Sequence, residues 1–388
     1  ALARGESSIE GLPEGEDVRA AVAACDALAA GAEAHEVHVG ESGTLARLVT
    51  AIVALTSAPG IPRRVVGRGT LAGRTSRPLF EALAGAGVGL RWLGRRHGWP
   101  VEIRPVADVA RITIVDPVSS QEVSAPLFAF AARPGGGLVR VRGAIPSRGY
   151  VEMTCRVLGG FGARIACEPG ADGEAFRVEG ELRSRSVRVE PDASLAAVAL
   201  AAGVLSGLPA RVPAFPEDSV QGDVRIVEHL RAFGCRVEKD AEGLLTATGR
   251  PHRGAELDLS GEPDLAPVLA PVAAAVALQT GERSRLRGLE TLPRKESDRL
   301  AGIVSGLRAV GVAARPDEGG IDVGPGDAPD GESAVLDPRS DHRMAFCYAL
   351  LGLLRPGLLV SDPDCVSKTW PDFWEQMERL GCRILVGG

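Results

Sequence analysis

Helix–glycine–strand units recur along this chain at a nearly fixed interval. They are Leu83-Ala-Gly-Ala-Gly87, Leu158-Gly-Gly-Phe-Gly162, Leu230-Arg-Ala-Phe-Gly234, Leu307-Arg-Ala-Val-Gly311 and Met377-Glu-Arg-Leu-Gly381. Their final glycines stand 75, 72, 77 and 70 residues apart, and a weaker sixth copy ends near Ala24-Cys25. Glycine suits the position after a helix because it tolerates the left-handed conformation. Short alternating stretches follow, as around Val237 and Ile384, and read as strands. One such unit is common in α/β proteins; five at this spacing predict a repeated β/α unit. Six units divide evenly near Glu190-Pro191-Asp192, which predicts a first lobe over 1–189 and a second over 190–388. The length, 388 residues, also favours more than one core. Two similar lobes leave a cleft, and clefts between domains are where ligands bind.

Charge and composition narrow the ligand class. The net charge of −6 argues against a nucleic-acid binder, so anionic ligands must be held by local arginine clusters. No 18-residue apolar run without charge is present, so no membrane partner is expected and a cytoplasmic protein is the default. The seven cysteines form no CxxC pair and no metal-ligand spacing with the six histidines. They are expected to be reduced and mostly buried, with no metal bound.

Two strings concentrate charge where loops enter amphipathic helices. Lys295-Glu296-Ser297-Asp298-Arg299 precedes Leu300, Ile303, Val304 and Leu307, and Asp341-His342-Arg343-Met344-Ala345 precedes Tyr348, Ala349 and Leu350. Helix N-termini present free N–H groups and suit anions, so a phosphorylated or carboxylated small molecule is indicated. Weaker candidates share the setting. Gly40-Glu41-Ser42-Gly43-Thr44 opens a helix in which Arg47 either helps the site or is solvated. Ser119-Ser120-Gln121 and Ser147-Arg148-Gly149-Tyr150 either bind hydroxyl and phosphate groups or cap helices. Asp264 precedes a long apolar helix, and Lys368 precedes an aromatic one with Phe373 and Trp374.

Together these motifs resemble the EPSP synthase (3-phosphoshikimate 1-carboxyvinyltransferase) family along nearly the whole chain, with Asp192-Ala193-Ser194 and Gln221-Gly222-Asp223 included. The resemblance implies an α/β, two-lobed enolpyruvyl-transferase fold, an inside-out α/β barrel in which each lobe holds three repeated units. It implies transfer of the enolpyruvyl group of phosphoenolpyruvate to the 5-hydroxyl of shikimate 3-phosphate, with no cofactor, in a monomer. It assigns Ser119, Ser120, Gln121, Ser147, Tyr150, Asp264 and Lys295 to shikimate 3-phosphate. Gly43, Arg77, Arg299, Arg343 and Lys368 fall to phosphoenolpyruvate, and Asp264 and Glu296 to proton transfer. Arg77-Pro78 looks like the family's Arg-Pro pair but lies a turn closer to Leu83 than is usual, which keeps Arg74 as the alternative.

The sequence also departs from the family. The family's opening strand and Gly-Ser-Lys-Ser loop do not occur, and the first residues read as the end of a helix near Gly5, so an upstream segment is expected to be missing here. Glu41 stands where an asparagine is usual, and Pro126 is expected to kink the helix after Gln121. These departures leave a paralogue with another acceptor, or an inactive binding homologue, as alternatives.

Overall fold

The computed structural model describes residues 2–31, 35–170, 172–317, 319–326, 334–379 and 383–384. The chain divides into two compact units, Ala1–Val189 and Glu190–Gly388.

In the first unit, β1 (Ser8–Glu10) and α1 (Glu16–Ala29) precede two repeats of one pattern. The first repeat is β2 (Glu36–His38), α2 (Gly43–Thr56), β3 (Arg63–Val66), α3 (Arg77–Gly85), β4 (Gly89–Trp92) and β5 (Val101–Arg104). The second is β6 (Arg111–Val115), α4 (Ser120–Ala131), β7 (Gly137–Arg142), α5 (Gly149–Gly160), β8 (Arg164–Gly170) and β9 (Gly173–Glu179). The sheet orders β2-β3-β5-β4 and β6-β7-β9-β8 are equivalent: a parallel pair, then a hairpin added antiparallel. A further strand, β10 (Ser186–Arg188), pairs parallel with β1.

The second unit repeats the order. It runs α6 (Ala193–Ser206), β11 (Ala210–Pro213), α7 (Ile226–Ala232), β12 (Arg236–Lys239) and β13 (Leu244–Thr248). The next repeat is β14 (Glu256–Asp258), α8 (Ala266–Thr280), β15 (Ser284–Arg287), α9 (Arg299–Ala309), β16 (Val312–Asp317) and β17 (Gly320–Pro325). The last elements are β18 (Ala334–Leu336), α10 (His342–Gly352), β19 (Leu358–Val360) and α11 (Phe373–Arg379). The sheet β14-β15-β17-β16 matches the two of the first unit.

Residue choice explains the layering. The parallel pair in each four-stranded sheet carries apolar partners in register, Val37↔Val65, Ile112↔Val139 and Leu257↔Leu286, all buried. The helix after the first strand of a repeat is apolar on every face and fills the core; residues 266–277 of α8 are all buried. The stretch Pro263–Thr280 is long and apolar enough to cross a membrane, but 83% of it is buried inside the protein. The second helix is amphipathic: α3 buries only Leu79, Phe80 and Leu83. It then ends at the repeat glycine. Gly87, Gly162, Gly234 and Gly311 all have positive φ, between 83° and 103°. The residues after the first three donate back to Leu83, Leu158 and Leu230, closing the helix ends.

Several expectations are corrected. Gly381 lies outside the described residues. The sixth copy does not end near Cys25: α1 continues to Ala29, and Gly31 is the positive-φ residue beyond it. Residues 2–5 carry no helix; Arg4 forms an isolated bridge with Arg183. Pro126 lies inside α4, the helix it is expected to kink. Of the described cysteines only Cys235 and Cys347 are buried, while Cys25 and Cys167 are exposed.

Two of the repeat glycines make the junction testable. A Cβ on Gly87 would meet open space, whereas one on Gly162 would lie 3.1 Å from the Glu181 carbonyl oxygen. Gly87→Ala should cost about 1 kcal/mol from backbone strain alone, and Gly162→Ala clearly more. Chemical denaturation checks this, and equal losses would contradict it.

Candidate active site

Adjacent parallel strands deliver their outgoing loops side by side, and in α/β sheets ligands bind outside those carboxyl ends. In the first unit the loop after β2 carries Glu41 to Thr44, and that after β3 carries Arg74 and Ser76. The loops after β6 and β7 carry Ser119 and Ser147. In the second unit, Asp264 follows β14, Lys295 to Arg299 follow β15, Asp341 to Arg343 follow β18, and Lys368 follows β19.

The second unit gathers its charges into one network. Arg299, the first residue of α9, is 3% exposed and lies between two carboxylates. It donates Nε–H to Asp341 Oδ2 (2.8 Å), Nη2–H to Asp341 Oδ1 (3.1 Å) and Nη1–H to Asp264 Oδ1 (2.8 Å). Asp341 is also the N-cap of α10, accepting from the Arg343 backbone N–H at 3.1 Å, and it accepts the Ser297 hydroxyl at 3.0 Å. Lys295 Nζ lies 3.2 Å from Asp264 Oδ1. Burial alone would raise the Asp264 carboxyl, but Lys295, Arg343 and Arg299 outweigh it and hold it well below the usual carboxylate range.

Glu296 accepts from Lys368 Nζ at 2.8 Å, and its other oxygen lies 3.3 Å from His342 Nδ1. Burial acts against its charge, yet His342, Lys368 and Arg299 hold it well below the ordinary range. Arg343 donates to the Asp264 carbonyl (3.2 Å) and to Ser194 Oγ (3.1 Å), and lies 3.8 Å from Asp223 Oδ2. The Ser194 hydroxyl donates to Asp223, whose carboxyl burial pushes up to about 6. Asp192, Ser194, Asp264, His342, Arg343 and Thr369 line a small concavity here. Glu296, Asp341 and His342 bring possible metal-ligand atoms within 4.8 Å of one another, but Lys368 and Arg299 already neutralise the two carboxylates. The geometry thus joins Asp264, Lys295, Glu296, Arg299, Arg343 and Lys368, all singled out from sequence.

The first unit holds polar groups around one buried arginine. Arg47 is neither solvated nor peripheral: it donates to the Gly43 carbonyl (2.8 Å), Gln121 Oε1 (3.0 Å), Ser76 Oγ (3.1 Å) and the Thr75 carbonyl (3.3 Å). Burial first, then Arg74, lower its pKa to about 10. Gln121 Nε2 donates to Thr44 Oγ1 at 2.7 Å, and Ser119 caps α4. Ser120 is buried beside it. Ser147, at φ 49°, and Tyr150 stand half-buried at the head of α5, which packs on α4 through the Ser124–Thr154 hydroxyl pair (2.8 Å). Glu41 turns toward the next loop and accepts the Thr70 N–H and hydroxyl, both at 3.0 Å.

Arg77 is not brought to this cluster. Its side chain is 71% exposed and pairs along α3 with Glu81. Arg74 is the arginine at Gly43: a Cβ on that glycine would lie 2.8 Å from Arg74 Nη1 and 3.0 Å from Arg47 Nη1. Of the two arginines, the structure places Arg74 and not Arg77 beside Gly43, and Gly43 is small because two guanidinium groups crowd it.

A sequence profile of the family described as EPSP synthase (3-phosphoshikimate 1-carboxyvinyltransferase) matches residues 1–377. The chain belongs to this family. That makes it a transferase of the enolpyruvyl-transferring class. The 3-phosphoshikimate 1-carboxyvinyltransferase of Thiobacillus denitrificans is 33% identical over 409 residues, spanning 98% of this chain and 92% of that protein. The namesake from Methanoculleus marisnigri is 32% identical over 359 residues, spanning 92% and 82%. In fold, the chain superposes on an EPSP synthase from Acinetobacter baumannii with a TM-score of 0.73, 23% identity and coverage of 98% and 91%. The enolpyruvyl transferase NikO from Streptomyces tendae gives 0.60, with 20% identity over 87% and 76%.

Arg47, Ser76, Glu122 and the counter-ion role of Asp341 were not assigned from the sequence. Glu122 follows Gln121 directly and looks like an ordinary first-turn acid, so only its burial marks it. The two arginines can be told apart in solution. Arg74→Ala should weaken anionic-substrate binding about tenfold or more, as expected for a lost charged hydrogen bond, while Arg77→Ala changes it less than twofold. Calorimetric titration of each variant decides, and the reverse order would restore Arg77.

Proposed function

We propose that the chain transfers the enolpyruvyl group of phosphoenolpyruvate to the 5-hydroxyl of shikimate 3-phosphate and releases inorganic phosphate. The observation that carries the reading is the pairing of two ionised carboxylates, buried Asp264 and half-buried Glu296, with Lys295, Arg299, Arg343 and Lys368. Phosphoenolpyruvate is a phosphate ester and a carboxylate, so it calls for several cations, and arginine forks suit its planar groups. The first unit's cluster takes shikimate 3-phosphate, whose phosphate and hydroxyls match serine, amide and arginine donors.

In the addition, Asp264 takes the hydroxyl proton as the oxygen attacks C2 of phosphoenolpyruvate. Its depressed basicity is offset by Lys295, which lowers the hydroxyl's own pKa by lying beside the developing alkoxide. The methylene carbon receives a proton from the Glu296–Lys368 pair. In the elimination that pair takes back a methyl proton, the C–O bond to phosphate breaks, and the proton on Asp264 leaves with phosphate. Atoms balance with no cofactor. The finer reading is a cytoplasmic monomer that needs only these two small-molecule substrates.

The test is phosphate release by the purified chain with the substrates singly and together. Release only when both are present is expected. Release from phosphoenolpyruvate alone, or none in a folded sample, would overturn the reading.

A further inference from the structure

Glu122 is a fully buried carboxylate for which the proposed chemistry has no use. We propose that it is a positioning residue for the acceptor: through Ser76 and Arg47 it fixes Gln121 with its amide oxygen inward and an N–H facing the ligand. This rests on the functional reading above.

The hydrogen-bond directions leave little choice. Arginine carries donors only, so the Gln121 atom 3.0 Å from Arg47 Nη1 must be the amide oxygen. The amide nitrogen then donates one N–H to Thr44 Oγ1, 2.7 Å away. Its second N–H is left for a ligand, which must present an acceptor such as a hydroxyl or phosphate oxygen. A free-rotating glutamine would present either end; this one is committed.

Arg47 is committed in turn by its surroundings. Its Nε–H donates to Ser76 Oγ at 3.1 Å, and its guanidinium lies over the Trp99 ring, 5.7 Å from the centroid. Having accepted from Arg47, the Ser76 hydroxyl donates to Glu122 Oε1 at 2.7 Å. The second oxygen, Oε2, accepts the Val118 N–H at 2.8 Å, directly ahead of Ser119. One carboxylate therefore ties the loops after β3 and β6, and through Arg47 it reaches Gly43 in the loop after β2. Burial raises the Glu122 carboxyl above its ordinary value, and Ser76, Arg47 and the loop N–H groups offset that cost only in part. An apolar side chain would fill this space in α4 more cheaply, so a packing role alone does not account for an acid here.

Glu122→Gln keeps the shape but offers one acceptor oxygen where two are needed, so either Ser76 or Val118 loses its partner. The experiment is a double-mutant cycle on shikimate 3-phosphate affinity, by calorimetry, with thermal melts to confirm folding. Wild type, Gln121→Ala, Glu122→Gln and the double variant are compared. Glu122→Gln should weaken binding about tenfold in the wild-type background and less than about twofold once Gln121 is gone. Ser76→Ala, which leaves Glu122 on Val118, should give the same cycle and serves if Glu122→Gln does not fold. Additive losses, or full affinity in both Glu122→Gln and Ser76→Ala, would overturn the inference while the functional reading stands. Absence of binding by the wild type would overturn the functional reading and this inference with it.

Discussion

A single guanidinium, that of Arg299, sits between two buried carboxylates and sets the geometry of the second unit's site. Its partners are the N-cap of α10, Asp341, and the residue that leads into α8, Asp264. Because Arg299 itself opens α9, three helix starts are joined through one side chain. Each ion would lose several kcal/mol of hydration on burial if alone. Together they neutralise one another, and Asp264 stays ionised although only 8% of it is exposed. Lys295 and Arg343 then take positions set by Asp264, and Lys368 takes one set by Glu296.

The first unit solves the same problem with more hydrogen bonds and less charge. Arg47 is buried, its carboxylate counterpart Glu122 is reached through a serine hydroxyl, and the remaining donors satisfy backbone carbonyls and an amide. The cluster therefore offers hydroxyl and amide groups where the second unit offers ammonium and guanidinium groups. That contrast fits a phosphorylated polyol on one side of the reaction and a smaller, denser anion on the other. The loops are held before any ligand arrives, which reduces the ordering cost of binding.

Local signals were legible in the sequence and tertiary ones were not. The repeat glycines could be read because a left-handed residue after a helix is a local requirement, and four of them take that conformation. The apolar runs of α2, α6 and α8 likewise declare core helices by composition. The strings around Arg299 and Arg343 gave most of the second unit's cluster, since charge crowded at a helix start has few structural uses. The choice between Arg74 and Arg77 depended on where α3 begins. Residue 77 opens the helix and faces Glu81 and solvent, while Arg74 lies just before it beside Gly43. Arg47 stayed undecided between site and solvent, and Glu122 gave no signal, because an arginine and an acid in a helix's first turns are ordinary on a surface, and their burial comes from packing between α2 and α4.

The account stands on Arg299 as the counter-ion of Asp264 and Asp341, and its most direct test is the pH dependence of what that residue contributes. With Arg299 present both carboxyls lie below their ordinary values, so their stabilisation is present above about pH 4 and lost as pH falls through the folded values. In Arg299→Met, Asp264 keeps Lys295 and Arg343, but Asp341 loses its largest compensating charge and burial raises its carboxyl, so holding Asp341 ionised further destabilises the variant as pH rises. Chemical denaturation of both proteins at pH 5 and pH 8 should show a gap of about 3–5 kcal/mol at pH 8 that narrows at pH 5. A gap that is the same at both pH values would show that Arg299 contributes packing and not charge, and would contradict the account.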